Sequence, residues 1–134
     1  MNILLIEDNY AHALLVARVF EDYPTINQIY HLTDGAEAMD FILQRGEHSN
    51  SPRPDLIFLD IRLPKVNGLS ILQTIRESEA HRDLRVVILT TSSINDEIEQ
   101  ARLYHVDAYL TKPFTRQHLT QVVDQFINSD SHVI

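Results

Sequence analysis

The chain is predicted to fold as an α/β domain in which helices cover both faces of a five-stranded parallel sheet. Residues 3–6, 56–59 and 86–89 are continuous apolar runs without polar alternation, which is typical of parallel strands buried on both sides. Segments with helical periodicity follow the strands, and hairpin signals are almost absent. Five such alternations within 134 residues therefore indicate one doubly wound domain with strand order 2-1-3-4-5 and five helices.

The first half of the chain contains two strand–helix units. Strand 3–6 is followed by a helix that Pro24 closes, and its inner stripe is predicted to be Leu14, Leu15, Val19 and Phe20. Strand 26–32 is less regular, so we place it at a sheet edge. Asp34 can cap the next helix, which Gly46 is expected to end. The inner face of that helix is predicted to be Ala38, Met39, Ile42 and Leu43.

The second half contains three further units. Strand 55–60 precedes a helix whose periodic positions are Leu69, Leu72, Ile75 and Arg76. Strand 86–89 precedes a helix with a thin inner face, Ile94, Ile98 and Ala101, which implies weak anchoring. After strand 108–113, Thr115 can cap a last helix with the stripe Leu119, Val122, Val123, Phe126 and Ile127. Residues 1–128 are expected to form the domain and residues 129–134 a flexible tail.

Composition excludes several classes of function. The net charge is −8 and the 11 basic residues are scattered, which argues against binding to nucleic acid. No apolar run approaches the roughly 20 residues that a membrane helix needs, and a basic leader is missing at the start. The sequence has no cysteine, so disulfides and thiolate metal sites are excluded and a cytoplasmic location is expected.

Charged and hydroxyl side chains follow four of the predicted strands. Glu7 and Asp8 come after the first strand, Asp60 ends the third, Thr90 the fourth and Lys112 the fifth. The carboxyl ends of these strands meet at one edge of the sheet, where ligands bind in such folds. Three carboxylates so close together repel unless a cation lies between them, and Mg²⁺ prefers such ligands. An Asp beside Mg²⁺ can act as a nucleophile toward a phosphoryl group.

Each of these residues also has a simpler interpretation. Glu7 and Asp8 can compensate a helix dipole, Thr90 can cap a helix, and Lys112 can be an ordinary surface lysine. Pro113 can mark a turn, although the bond from Lys112 to Pro113 is a candidate cis peptide. Their occurrence at the same end of every relevant strand favours a shared site.

Glu7-Asp8, Asp60, Thr90, Tyr109 and Lys112-Pro113, in this order and spacing, resemble the receiver domain of two-component response regulators. The resemblance covers residues 2–128. It implies a flavodoxin-like fold and phosphorylation of Asp60 by a histidine kinase. It also implies a signalling protein that assists its own phosphorylation and dephosphorylation, not an enzyme acting on external substrates.

The resemblance further implies which residues bind the metal and the phosphoryl group. Asp8, Asp60 and the backbone carbonyl of Arg62 would bind Mg²⁺, for which Mn²⁺ could substitute, and Glu7 would reach the ion through water. The phosphoryl group would be contacted by Thr90 and Lys112. Thr91, which stands where the family more often has alanine, would adjoin that group. Tyr109 would be the aromatic switch residue.

The loop 47–54 and the segment 89–92 resemble more closely the stand-alone receivers that partner cyanobacterial phytochromes, which implies such a kinase as the partner. The output surface would comprise the helix from Asn95, the strand at Tyr109 and the helix from Thr115. Leu103, Tyr104 and Phe114 are predicted to supply its apolar contacts. The signal would pass to a downstream protein or through homodimerisation on this surface.

Single residues argue against two other functions. A phosphatase of the haloacid dehalogenase type needs an acid where Arg62 stands. A flavin-binding module needs a phosphate-binding loop after the first strand, where Glu7 and Asp8 would repel the phosphate. An adaptor that binds partners without phosphorylation is the remaining alternative. Arg62 and Ser92 offer no carboxylate or amide to orient water, so slow self-dephosphorylation is predicted, measurable by a radiolabel chase. The seven histidines show no metal-ligand spacing and are expected to be surface or partly buried residues.

Overall fold

A computed structural model of the chain describes residues 1–90 and 95–127. The strands are β1 (Asn2–Ile6), β2 (Gln28–Leu32), β3 (Leu56–Asp60), β4 (Arg85–Thr90) and β5 (Ala108–Thr111). The helices are α1 (Tyr10–Phe20), α2 (Gly35–Leu43), α3 (Gly68–Glu77), α4 (Asn95–Leu103) and α5 (Arg116–Ile127), with a 3₁₀ turn at Gly46–His48. All strand pairs are parallel and the order is β2-β1-β3-β4-β5. The predicted fold and strand order are confirmed.

Two apolar cores lie on opposite faces of the sheet. One packs α1 and α5 against alternate strand residues such as Leu5, Phe58 and Leu89. The other packs α2, α3 and Ala101 of α4 against Ile6, Leu59 and Ile88. Every residue of β3 is buried, because this central strand has helices on both sides.

Side chains cap the helices where the sequence indicated. Asp34 Oδ1 accepts a hydrogen bond from Glu37 N at 2.7 Å at the start of α2. Thr115 Oγ1 accepts from His118 N at 3.1 Å at the start of α5. Both caps satisfy amide groups that have no partner within their helix.

Two helix faces differ from the prediction. The inner face of α1 is Ala13, Val16, Val19 and Phe20, whereas Leu14 is 53% exposed. In α2, Phe41 is buried although it was not predicted to be, and it packs its ring against Tyr30 with a centroid distance of 5.2 Å. Both helices carry apolar residues around more than half of their circumference, so periodicity alone did not determine which side is buried.

The end of α2 also differs from the prediction. The helix ends at Leu43, and Gln44 takes the left-handed conformation with φ 54°. Gly46, expected to end the helix, instead begins the 3₁₀ turn, with φ 60°. A non-glycine residue thus makes the turn, stabilised by amide hydrogen bonds from Gln44 and Arg45 to the last helical carbonyls.

The inner face of α4 is thin, as predicted. Ala101 is buried with 2% exposure, Ile98 is half-buried, and Ile94 lies outside the described residues. The tail 129–134 lies outside them too. Within the described ranges, none of the helices combines the length and apolarity that crossing a membrane requires.

Candidate functional site

Four strand ends bring the predicted site residues to one edge of the sheet. Glu7 follows β1, Asp60 and Thr90 are the last residues of β3 and β4, and Lys112 follows β5. Strands β1, β3, β4 and β5 are consecutive neighbours in the sheet. These four residues are the buried polar or charged residues of the described chain. The carboxyl ends of these strands therefore hold four polar side chains within an otherwise apolar interior.

The three acidic residues at this edge form one cluster. Glu7, Asp8 and Asp60 each place a carboxylate oxygen within 4.8 Å of the other two. Glu7 is fully buried and Asp60 is 5% exposed, whereas Asp8 is exposed. Charges of one sign at this separation in a partly dry site repel strongly. The cluster therefore requires positive charge nearby.

Lys112 supplies positive charge from the protein itself. Its Nζ atom lies 3.0 Å from Asp60 Oδ2 and also contacts Glu7 Oε1. The side chain is buried together with both carboxylates, and the peptide bond to Pro113 is cis, as predicted. The lysine interpreted as a site residue is thus brought to the carboxylates and is not a surface residue.

The pKa of Glu7 is raised from 4.5 to about 7. Burial is the largest cause, and the hydrogen bond and negative charge of Asp60 add to it. The contact with Lys112 opposes the rise. One ammonium group therefore does not fully compensate two buried carboxylates.

The donor set fits a divalent cation. Glu7 Oε1 is buried beside Lys112, but it accepts no hydrogen bond of ordinary geometry from the described residues. Three carboxylates with one exposed member are hard oxygen donors that leave room for water, as Mg²⁺ and Mn²⁺ prefer. The predicted acidic ligands are therefore brought together, and the ligand role of the Arg62 carbonyl stays a prediction.

Backbone contacts fix Asp60 in place. Its Oδ1 atom accepts a hydrogen bond from Arg62 N at 3.0 Å, and Gly68 N donates to Ile61 O at 2.7 Å. A Cβ at Gly68 would lie 2.3 Å from Asp60 O and 2.8 Å from Ile61 Cα. This close approach of backbone gives Gly68 a role in positioning Asp60.

Two histidines near Glu7 were missed by sequence reasoning. His12 Nδ1 lies 3.5 Å from Glu7 Oε1, and His31 Nε2 lies 2.7 Å from the Glu7 carbonyl oxygen. Burial, followed by the charge of Lys112, lowers the pKa of His12, which favours neutral imidazole. The available signal was position: His12 lies in the first turn of α1, and β2 pairs with β1 through His31 and Leu5.

Thr90 and Tyr109 lie on one face of the sheet. Ile88 pairs with Tyr109 and Thr90 with Thr111, and alternate residues of a strand share a face. Thr90 is 1% exposed and Tyr109 is 40% exposed. Thr91 and Ser92 lie outside the described residues, so their roles stay predictions.

The predicted apolar contacts of the output surface are only partly available. Leu103 is 74% exposed and Tyr104 is half-buried. Phe114 is 8% exposed and packs in the core beneath α1 and α5. The expectation that Phe114 contacts a partner is therefore wrong, because its ring completes the interior.

A second ion pair connects this edge to α4. Arg62 Nη2 lies 3.4 Å from Glu97 Oε1, and Glu97 is in the first turn of α4. The sequence predicted a metal-binding backbone carbonyl at Arg62 and no water-orienting side chain there, but it predicted no partner for the guanidinium. The contact between loop and helix could not be found from spacing, because the two residues are 35 positions apart.

Comparison with known proteins identifies a family. Residues 3–124 match the family model described as the response regulator receiver domain. The probable methanogenesis regulatory protein FilR2 of Methanothrix harundinacea is 42% identical over 92% of this chain and 79% of its own length. The response regulator Rcp1 of Synechocystis is 40% identical over 90% of this chain and 82% of its own length.

Two solved structures are similar over nearly the whole chain. The crystal structure of the Mn²⁺-bound form of Rcp1 has a TM-score of 0.89 at 36% identity, covering 96% of this chain and 95% of that one. The phosphorylated cyanobacterial phytochrome response regulator RcpA has a TM-score of 0.86 at 34% identity, covering 96% and 94%.

Proposed function

The chain belongs to the response regulator receiver domain family, and from that premise we propose that Asp60 accepts a phosphoryl group from a sensor histidine kinase. The observation that carries the proposal is the arrangement at the sheet edge, where Asp60 lies among two further carboxylates and Lys112. Receiver domains are signalling proteins, so the phosphoryl group serves as a signal rather than as a substrate to be turned over.

In the proposed reaction a carboxylate oxygen of Asp60 attacks the phosphorus of a phosphohistidine. A P–O bond forms, the P–N bond breaks, and the electron pair leaves with the imidazole of the kinase. Arg62 N holds one carboxylate oxygen, which fixes the direction of the other. Bound Mg²⁺, held by Asp8 and Asp60 with Glu7 acting through water, would neutralise charge between the carboxylates and the incoming phosphoryl oxygens.

Lys112 and Thr90 are the proposed donors to the phosphoryl oxygens of the product. Lys112 already contacts Asp60 Oδ2 at 3.0 Å, so its ammonium can shift from the carboxylate to the added oxygens with little movement. A phosphoryl group brings about −2 charge and three acceptor oxygens. Thr90 ends β4 beside them and would be drawn toward that charge.

We propose that the response leaves through the surface formed by α4, β5 and α5. Support comes from the thin inner face of α4 and from Tyr109, which shares a sheet face with Thr90. If Thr90 moves toward the phosphoryl group, Tyr109 can turn inward. Leu103, exposed at the end of α4, is one apolar residue that this surface offers to a downstream protein or a second copy.

The similarity to RcpA supports a phytochrome as the cognate kinase, since that relative is described as a cyanobacterial phytochrome response regulator. An adaptor that works without phosphorylation is the competing function. The buried Lys112–Asp60 contact favours phosphorylation, because burying charged groups costs free energy that simple binding does not require.

The test is incubation with acetyl phosphate and Mg²⁺, followed by intact mass and oligomeric state. The wild type is expected to gain the mass of one phosphoryl group, and the Asp60→Asn variant to gain none. Tyr109→Ala is expected to be phosphorylated while losing any phosphorylation-dependent association. An unmodified wild type would leave the adaptor as the better description.

A further inference from the structure

Arg62 contacts both Asp60 and α4. Its backbone N donates to Asp60 Oδ1 at 3.0 Å, and its guanidinium lies 3.4 Å from Glu97 Oε1 in the first turn of α4. One residue therefore connects the proposed phosphoryl acceptor with the helix of thinnest core contact. The two contacts use different parts of the residue, so the side chain can move while the backbone hydrogen bond remains.

The environments of the two partners are unequal. Glu97 has a side chain 22% exposed, and its Oε2 atom is buried without a hydrogen-bond partner among the described residues. Arg62 has a side chain 55% exposed, and its stem is long and flexible. The half-buried carboxylate therefore depends on the guanidinium, whereas the guanidinium can turn toward other acceptors at modest cost.

A phosphoryl group on Asp60 would be a strong hydrogen-bond acceptor within reach of the flexible Arg62 side chain. It carries more negative charge than a carboxylate, and its oxygens match the fork of a guanidinium. Arg62 begins two residues after Asp60, so its side chain starts at the rim of the site. Glu97 and the phosphoryl group would thus be alternative acceptors for the same cation.

We propose that Glu97 competes with the phosphoryl group for Arg62 and so acts as an internal restraint on the phosphorylated arrangement. The inference rests on the proposed function. When Arg62 turns to the phosphoryl group, the first turn of α4 loses its ion pair with the loop after β3. The charge change at Asp60 is then coupled to α4 through Arg62, in addition to any effect through Thr90.

The two partners should have opposite effects on binding of a phosphoryl analogue. Glu97→Gln frees Arg62 and removes a nearby negative charge, so affinity should rise about two- to five-fold, the range of a partly exposed ion pair. Arg62→Gln removes the cation, so affinity should fall by a similar factor. If the pair were only a tether holding α4, both variants would change affinity in the same direction.

The experiment is a titration with beryllofluoride in excess Mg²⁺, with the half-saturating concentration read from backbone amide NMR signals. Glu99→Gln is the matched control. It removes the same charge from the same helix, but Glu99 is 65% exposed and pairs with Arg102 within α4 at 3.5 Å. Glu99→Gln should leave the half-saturating concentration unchanged.

A second measurement tests the pair itself without the analogue. A double-mutant cycle of Arg62→Gln and Glu97→Gln in urea unfolding should show a favourable coupling. A coupling energy of zero in the unfolding cycle would overturn the inference. So would equal changes in the half-saturating concentration for Glu97→Gln and Glu99→Gln, or changes of the same sign for Arg62→Gln and Glu97→Gln. A wild type that binds beryllofluoride and is phosphorylated would in that case leave the proposed function standing, whereas a wild type that does neither counts against both.

Discussion

Lys112 Nζ lies 3.0 Å from Asp60 Oδ2 and also contacts Glu7, so one ammonium group joins the ends of β5, β3 and β1. All three side chains are almost completely buried. An ion cluster in this position is sensitive to the loss of one member, because the remaining charges keep their desolvation cost. The relationship makes stability and chemistry at this edge depend on the same atoms.

Replacing Lys112 with Met should destabilise the metal-free protein more at high pH than at low pH. At pH 8 the Glu7 carboxylate of the wild type is ionised beside Lys112, so the variant loses the partner of a buried negative charge and we expect a loss of about 3 kcal/mol. At pH 5.5 Glu7 is protonated, so the repulsion and the loss are smaller. Urea unfolding at the two pH values measures the difference.

Lys65→Met is the matched control, since Lys65 is 68% exposed and lies 3.6 Å from Asp34. Its effect should stay below about 0.5 kcal/mol at both pH values. Equal losses for Lys112→Met at pH 5.5 and pH 8 would contradict the proposed charge balance.

Mg²⁺ should bind more tightly as pH rises through 7. The pKa of Glu7 is raised from 4.5 to about 7 in the folded protein, so the metal-free fold gains stability from the protonated form below pH 4.5 and loses it as pH rises through 7. A metal ion competes with that proton. Affinity measured by calorimetry should be about ten-fold weaker at pH 6 than at pH 8.

Glu7→Gln provides the comparison for this pH dependence. The amide is similar in size to the carboxyl group and does not titrate, so the difference between pH 6 and pH 8 should largely disappear. An unchanged pH dependence in Glu7→Gln would show that another group carries it.

Gly68→Ala should be among the costly single-methyl changes in this chain. The added Cβ would lie 2.3 Å from Asp60 O, and moving that backbone displaces the acceptor. We expect a loss of about 3 kcal/mol in urea unfolding. Gly46→Ala tests backbone strain without crowding, since its Cβ would lie 3.7 Å from Asp40 Oδ2 at φ +60°, and should cost about 1 kcal/mol.

Arg76→Lys should destabilise the protein although it keeps the charge. The guanidinium donates to five oxygens, those of Tyr104, Arg82, Leu84, His105 and Asp107. Lysine cannot reproduce five donors in a planar fork, so carbonyls would lose partners at a cost of about 2 kcal/mol. Arg102→Lys, with a side chain 60% exposed, should change thermal stability very little, and equal effects would contradict this account.

The site was more predictable from sequence than the helix faces. Glu7, Asp60, Thr90 and Lys112 each lie at the end of an apolar run, and parallel strands oblige such ends to meet. Leu14 and Phe41 were misjudged, because an apolar helix segment offers several stripes and only packing selects one. Arg76 was predicted merely as a periodic position, since its five acceptors come from two separate loops, the one before β4 and the one before β5.

The contacts of Arg76 also determine how α4 can move. They hold the carbonyls of Tyr104 and His105, directly after the helix, while the other end approaches Asp60 through Glu97 and Arg62. A helix that is held at one end can tilt about that end but cannot shift along its own axis. We therefore expect Arg76 to act as a pivot, so that a displacement near Asp60 would tilt α4 about its end at Leu103.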